Sequence, residues 1–208
     1  MGGQITALRI QRRNRNRVNV YLDGRFAFGL AAIEAARLRV GQVLSDEEIA
    51  RLRQRDTAER AAEQALDLLS YRPRSEAEIR ERLAKRYDPE TATEVLERLR
   101  RSGLVNDREF AQYWVQSRLQ YNPRGAVALR QELYQKGVDE SAIEEALAEY
   151  DEEEAAIRAA QTARRKLRGL PPDTFRRRLT DYLLRRGFPY GIVRAVVQQV
   201  LADSPSDE

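Results

Sequence analysis

Cysteine and histidine are both absent from the 208 residues. Their absence excludes disulfides, Cys/His zinc sites, and nucleophilic catalysis by Cys–His or Ser–His pairs. Neither GxGxxG nor GxxxxGK[ST] occurs, so no glycine loop of either kind is there to cradle a phosphate. No apolar run approaches the roughly 20 residues needed to span a bilayer, and no signal-peptide core follows Met1. The opening "MGGQIT" fits the short myristoylation pattern through Gly2 and Thr6, a match that chance explains better. The carboxylates that remain for acid–base work sit at helical spacing among Arg and Lys, the pattern of a solvated face. The chain therefore reads as soluble, cytoplasmic and non-enzymatic, with no metal and no cofactor. Its length allows one or two domains, or a string of smaller units.

Lysine is also scarce. Only Lys85, Lys136 and Lys166 occur, so nearly all of the 37 basic residues are arginine, set against 33 acids. Arginine suits bidentate pairing with phosphate or carboxylate, although a compositional bias toward Arg accounts for the same preference equally well. Placement says more than the total. Residues 1–45 carry eight Arg against two acids, a net of +6. Residues 108–154 carry five bases against eleven acids (−6), and residues 155–203 carry eleven bases against three acids (+8). Basic ends around an acidic middle attract a polyanion or an acidic protein at the ends and repel nucleic acid between them.

Near the amino terminus "RVNVYLDGRFAFGL" alternates with period two. Val18, Val20 and Leu22 face one way, Asn19 and Tyr21 the other, and Asp23-Gly24 supplies a two-residue turn after which Phe26 and Phe28 continue the apolar face. "ITALRIQ" is a candidate third strand, leaving "RRNRNR" as a loop, and so small a sheet needs a helix to pack on. Arg12, Arg13, Arg15 and Arg17 make that loop a phosphate-binding tip or a solubilising one. The intervening Asn residues, polar without opposing charge, favour contact.

From Leu30 onward the pattern is helical. "GLAAIEAARL" reads as a short helix ending near Gly41, and Ser45 with Glu48 forms a capping box. Ser75 with Glu78 repeats the device inside "YRPRSEAEIRERL", which has a near-copy in "YNPRGAVALRQEL" at Tyr121. Leu69, Tyr71, Pro73, Arg74, Ile79, Arg80 and Leu83 superpose on Leu119, Tyr121, Pro123, Arg124, Leu129, Arg130 and Leu133. A fainter third copy lies fifty residues on from the second, through Arg168, Leu179, Leu183, Gly187, Phe188, Val196 and Val197. Each copy is expected to form three helices: 57–70, 75–86 and 90–102; 107–120, 124–136 and 139–149; 152–168, 173–186 and 189–202. Gly103, Gly137 and Gly187 stand where helix ends favour a left-handed residue. The expected fold is mainly all-α, with tandem three-helix repeats in an elongated array and a small N-terminal antiparallel β-hairpin or sheet. The expected segments are 1–44 (hairpin and short helix), 45–106, 107–151 and 152–203 (the repeats, the first with a leading helix), and 204–208 (a frayed tail).

"LVNDREFAQYWVQSR" followed by "NPRGAVALRQELYQKGV" resembles the RecX family of bacterial recombination regulators. The matching residues are Asp107, Phe110, Ala111, Trp114, Val115 and Arg118, then Pro123, Arg124, Gly125, Leu129, Leu133, Lys136 and Gly137. "YLDGRFAFGL" resembles the amino-terminal hairpin of longer members, so the likeness runs from about Val18 to Leu201. Two departures stand out: "KRYD" replaces a Lys-Gly turn in the first repeat, and Gln161 and Arg164 take the places of Ala111 and Trp114 in the third. The resemblance implies tandem three-helix repeats that bind the RecA–DNA filament and damp RecA's ATPase, strand exchange and coprotease activity.

The residues themselves leave alternatives open. Phe110 and Trp114, four apart, are better suited to fill the second repeat's core with Val115 and Leu129 than to stack on bases. Tyr71 and Tyr121 are better suited to packing between helices with a wet hydroxyl than to contacting bases. Arg74 and Arg124 oppose a helix dipole, which calls for an anionic partner or a nearby acid such as Glu78. Arg164-Arg165-Lys166 and Arg176-Arg177-Arg178 are the plainest polyanion candidates, and three consecutive Arg spread around a helix so that not all face one ligand. Arg72, Arg118, Arg130 and Lys136 complete the set of candidate contacts, and Tyr121, Pro123, Gly125, Leu133 and Gly137 belong to the structural motif. The leading expectation is a monomer that modulates RecA filaments on DNA. The alternatives are a free-standing DNA- or RNA-binding repeat protein acting through its basic ends, and a helical scaffold whose charges only solubilise it.

Overall fold

The computed structural model describes residues 2–202, so the tail expected to fray lies outside the described residues. The chain divides into two compact units. The first contains residues up to Arg72 together with Ile79–Leu104, and the second contains Pro73–Glu78 together with residues from Val105 onward.

The first unit opens with an antiparallel sheet of β1 (Gly3–Ile10), β2 (Arg17–Leu22), β3 (Arg25–Ala31) and the short β4 (Val43–Leu44), in the order β3-β2-β1-β4. The β2–β3 turn places both Asp23 (φ 48°) and Gly24 (φ 79°) in the left-handed region, as a two-residue hairpin with right-handed strand twist requires. Val18, Val20, Phe28 and Leu30 face inward and are buried with Ile5, Leu44, Ile49 and Leu52. Phe26 does not join them. The register shifts between Val20 and Tyr21, so that Val20 pairs with Phe28 while Tyr21 pairs with Phe26. That one extra residue, Ala27, turns Phe26 onto the outer face, where it is 60% exposed.

Two helical expectations also change. Leu30 and Ala31 belong to β3, where Ala31 pairs with Arg17, and only Ala32–Ala35 (α1) is helical in "GLAAIEAARL". The helix begun by Ser45 does not stop before residue 57: α2 runs unbroken through Asp46–Tyr71. No Pro or Gly interrupts that stretch. Its cap is the expected box, with Ser45 Oγ accepting from Glu48 N at 3.2 Å and Glu48 Oε2 accepting from Ser45 N at 2.7 Å.

The remaining helices are α3 (Glu76–Leu83), α4 (Pro89–Arg101), α5 (Asp107–Tyr121), α6 (Ala126–Gln135), α7 (Glu140–Leu147), α8 (Glu152–Lys166), α9 (Pro172–Arg185) and α10 (Tyr190–Ala202). They form three-helix repeats, the first using the later part of α2. Gly103, Gly137 and Gly187 adopt φ of 71°, 75° and 84° at the expected turns. In the second repeat Phe110, Ala111, Val115, Leu129, Leu133, Val138, Ala142 and Ile143 form one buried cluster. In the third, Ala155, Ala156, Ala159, Ala160 and Ala163 of α8 let α9 and α10 approach closely through Leu179, Leu183, Val193, Val196 and Val197.

Acidic caps start several helices. Asp88 Oδ1 accepts from Thr91 N at 2.8 Å and Asp139 Oδ1 from Ala142 N at 3.0 Å. The bonds Asp88 receives from Thr91, those Asp139 receives from Ser141 and Ala142, and those Glu48 receives from Ser45 hold all three carboxyls below their ordinary values. A lowered folded value means stability that is complete above the ordinary carboxylate pKa near 4 and is lost as pH falls through the folded values. Thermal melts from neutral pH downward should therefore show Tm declining below about pH 4, and Asp139→Asn should flatten part of that decline. An unchanged slope in the variant would remove Asp139 from the account.

Candidate functional site

The third repeat is built on the plan of the second with one addition. Both first helices, α5 and α8, have 15 residues and are capped by the side chain before them, Asn106 and Asp151. This pairing sets Ala156 and Ala159 against Ala111 and Trp114, in place of the Gln161 and Arg164 expected from a constant fifty-residue step. The five-residue difference is taken up later: the α8–α9 loop is one residue longer than the α5–α6 loop, and α9 has 14 residues against 10 in α6. The four residues added at the start of α9 are 172–175, and Arg176, Arg177 and Arg178 follow them at the repeat positions that Ala126, Val127 and Ala128 hold in α6.

Those three side chains straddle α9 and arm two clefts. One, of about 490 Å³, lies between α8 and α9 and is lined by Lys166, Arg177, Arg178, Asp181, Tyr182 and Arg185. The other, about 390 Å³ between α9 and α10, is lined by Arg176, Arg177, Asp181, Tyr190 and Arg194. So the triplet does not face one ligand, and Arg177 serves both clefts. Lys166, Arg177, Arg178 and Arg185 form no ion pair among the described residues. Arg176 makes only an exposed pair with Asp173 at 3.3 Å, of the kind that contributes little. Arg164, Arg165 and Lys166 also occupy the last turn of α8, where cations complement the helix dipole. Arg165 is exposed, whereas Arg164 is half-buried and engaged within the chain.

The basic residues of the second repeat are placed quite differently. Glu132 on α6, 18% exposed, accepts from Trp114 Nε1 at 2.8 Å and from Arg118 Nε at 2.7 Å. Its other oxygen lies 2.9 Å from Arg124 Nε, an ion pair without hydrogen-bond alignment. Lys136 Nζ sits 2.8 Å from Glu78 Oε1 and 4.2 Å from the Trp114 ring centroid, and the Arg118 guanidinium lies 4.5 Å from that centroid. Trp114 is thus held by cations on its faces and a carboxylate at its edge, while Phe110 packs at 5.9 Å and is fully buried. Arg130 pairs with Glu140. Arg118, Arg124, Arg130 and Lys136 therefore all have intramolecular carboxylates. The sequence reading missed Glu132, although it is the single acid among three cations across residues 124–136.

Elsewhere the arginines divide. Arg12, Arg13 and Arg15 are exposed on the β1–β2 loop, but Arg17 reaches Asp56 Oδ2 at 2.9 Å and is 16% exposed, so it anchors the sheet to α2. Arg72 and Arg74 are half-buried and engaged within the chain. Tyr71 and Tyr121 do not pack between helices: they end α2 and α5 with 84% and 78% exposure. Pro123 and Gly125 are buried at the joint between α5 and α6.

A second relation between repeats was not legible beforehand. The first residue of each following repeat caps the second helix of the one before: Asp107 Oδ1 accepts from Glu76 N at 2.8 Å, and Glu152 Oε1 from Ala126 N at 2.7 Å. The turn of the following repeat then meets the same helix start. Ser75 Oγ donates to Lys136 O at 2.7 Å, and Gly125 N to Arg186 O at 2.9 Å. Tyr150 closes the second of these joints by donating to Arg124 O at 2.6 Å, and its burial pushes the phenol pKa upward.

Comparison with known proteins agrees in detail with this arrangement. The family model described as the regulatory protein RecX N-terminal domain matches residues 3–45, and those for the first, second and third three-helix domains of RecX match residues 61–99, 106–147 and 151–197. The regulatory protein RecX of Oceanobacillus iheyensis is 34% identical over 98% of this chain and 79% of its own length. The chain belongs to the RecX family. The RecX of Bacillus subtilis is 31% identical over 98% of this chain and 79% of its own, and that of Clostridium botulinum strain Eklund 17B is 31% identical over 95% and 96%. A crystal structure of regulatory protein RecX superposes with a TM-score of 0.73 at 28% identity, covering 94% of this chain and 99% of that one. The third RecX domain begins 45 residues after the second and ends 50 after it, the same offsets that place the extra turn in α9. Among the described residues no helix is long and apolar enough to cross a membrane.

Proposed function

We propose that this protein binds the RecA nucleoprotein filament in the cytoplasm as a non-enzymatic monomer and damps RecA's ATPase, strand exchange and coprotease activities. The observation that carries the reading, beside membership of the family, is the partition of its cations. Those of the second repeat are neutralised inside the chain, whereas Lys166, Arg177, Arg178 and Arg185 form no ion pair among the described residues. Cations left without internal carboxylates are available to a phosphate backbone or to an acidic face of the filament.

RecA ATP hydrolysis on single-stranded DNA, titrated with the protein at low and raised salt, tests the reading. Inhibition is expected well below the amount that would saturate the DNA. The variant carrying Lys166→Glu, Arg177→Glu and Arg178→Glu is expected to lose at least about tenfold in potency, since each exposed phosphate contact removed weakens binding and each reversal adds repulsion. Its circular dichroism should be unchanged, because all three side chains are exposed. An unaltered ATPase at stoichiometric protein would overturn the proposal. Inhibition appearing only at DNA-coating amounts, and vanishing with salt, would favour the free-standing nucleic-acid binder, whose support is the same set of unpaired cations.

A further inference from the structure

The outer face of the N-terminal sheet is not used by any role described so far. The inner face is occupied by the core with α2, so Val18 and Val20 are covered while Arg17, Asn19 and Tyr21 of β2 point outward. The register brings Ala7 and Arg9 of β1 opposite Tyr21 and Asn19, and Phe26 of β3 opposite Tyr21 on the other side. The Arg9 guanidinium lies 5.2 Å from the Tyr21 ring centroid, and the Tyr21 and Phe26 rings meet edge to face at 6.0 Å. Phe26 presents most of its surface to solvent, on an aromatic that a one-residue bulge has turned away from the core.

Arginines outnumber acids around this face. Arg9, Arg12, Arg13, Arg15 and Arg25 are exposed and form no ion pair among the described residues. The nearby acid Asp23 is engaged by the backbone, accepting from Gln4 N at 3.0 Å. Arg17 is spent on Asp56 and does not contribute. An open sheet face with adjacent exposed rings, bordered by unpaired arginines, matches what unstacked bases require: π-faces for the bases and cations for the intervening phosphates. A duplex offers no free base face to these rings. A protein partner would have to bring carboxylates to the arginines as well as apolar groups to the rings, and the test below separates it from a single strand.

We propose that the outer face of this sheet, through Tyr21 and Phe26 with Arg9, Arg25 and the Arg12–Arg15 loop, binds single-stranded nucleic acid by base stacking. The proposal goes beyond the filament reading and does not need it, because the probe is naked oligonucleotide with no RecA present.

The test is binding of fluorescein-labelled oligo(dT), and of a duplex of equal length, followed by anisotropy at low and raised salt. The full-length protein should bind oligo(dT). Phe26→Ala should weaken that binding by at least about fivefold, the low end of what one stacked base contributes, while leaving duplex binding unchanged. Phe26→Trp, which restores a ring, should recover it, and the exposed position makes misfolding of either variant easy to exclude by circular dichroism. Photocrosslinking with 5-iodouracil oligonucleotides should label the peptide that contains Tyr21 and Phe26. Wild-type affinity in Phe26→Ala would overturn the proposal, as would an equal loss on single strand and duplex, or crosslinks confined to the third repeat. Intact oligonucleotide binding with loss of the effect on RecA would also overturn it, and would assign the face to a protein partner. None of these failures touches the proposed action of the third repeat on the filament, which is read by ATPase.

Discussion

Gly125→Ala is expected to destabilise the protein by about 3 kcal/mol, the upper range for adding a methyl where neighbours cannot move. For a chain of this size that lowers Tm by roughly 6–12 °C. Gly125 has an ordinary φ of −67°, so conformational freedom is not the reason for glycine there. The reason is proximity. A Cβ at this position would press on the carbonyl of Gly187 and lie 2.6 Å from Phe188 N, and both are backbone atoms of the α9–α10 turn. The turn is held in place by the bond from Gly125 N to Arg186 O and by that from Arg186 to Pro123 O. The corresponding position of the first repeat is Ser75, whose Cβ is tolerated because contact there is made by the hydroxyl, donating to Lys136 O at 2.7 Å. The two joints thus demand different residues at one repeat position. Ser75→Gly should cost about 1–2 kcal/mol through the lost cap and buried hydrogen bond. Urea or thermal unfolding of both variants checks the pair, and a Gly125→Ala protein as stable as wild type would show that the joint opens freely.

Glu132→Ala should cost about 2–4 kcal/mol, somewhat less than the loss of a partner from a fully buried pair because the cluster is partly hydrated. One carboxylate serves Trp114, Arg118 and Arg124 together, so its removal leaves an indole N–H and two guanidinium groups competing for water at a half-buried site. Trp114 is the chain's single tryptophan, which makes its fluorescence a direct reporter of the cluster. Emission should shift to the red in the variant before unfolding begins, and the urea midpoint should fall. Glu132→Gln retains an acceptor for Trp114 but no charge for the arginines, and an intermediate loss is expected. Native emission with an unchanged midpoint in Glu132→Ala would mean that the arginine–tryptophan stack stands without its carboxylate.

Several features of the fold were legible because their causes lie within a few residues. The turn at Asp23-Gly24 needs only positive φ at two adjacent positions, and the Ser45–Glu48 box needs only one helical turn. The helix-ending glycines Gly103, Gly137 and Gly187 are of the same kind. Alternation on β2 and the matched Leu129 and Leu133 of the duplicated segment likewise report local periodicity. Where the local signal was right but incomplete, a neighbouring strand or helix decided the outcome. Phe26 continued an apolar alternation, yet a bulge set by pairing with β2 turned it outward. The third repeat matched at a fifty-residue step through α9 and α10, yet its first helix is offset by only 45 residues, because four residues are added at the start of α9 and one in the loop before it.

The helical repeats, the N-terminal hairpin, the asymmetric placement of charge and the family could all be read along the chain. Each of these depends on short-range patterns or on composition. Which cations remain available could not be read there. Arg17, Arg118, Arg124, Lys136 and Arg177 read alike along the chain, but neutralisation depends on acids far away in sequence. Arg17 meets Asp56 39 residues on, Arg118 meets Glu132 14 residues on, and Lys136 meets Glu78 58 residues back. Coulomb attraction acts through space, and only the packed helices bring those carboxylates within about 3 Å of a guanidinium or ammonium group. Packing therefore set which cations of the second repeat meet carboxylates of their own chain, whereas Lys166, Arg177, Arg178 and Arg185 around α9, and Arg9 and Arg25 on the sheet, form no ion pair among the described residues.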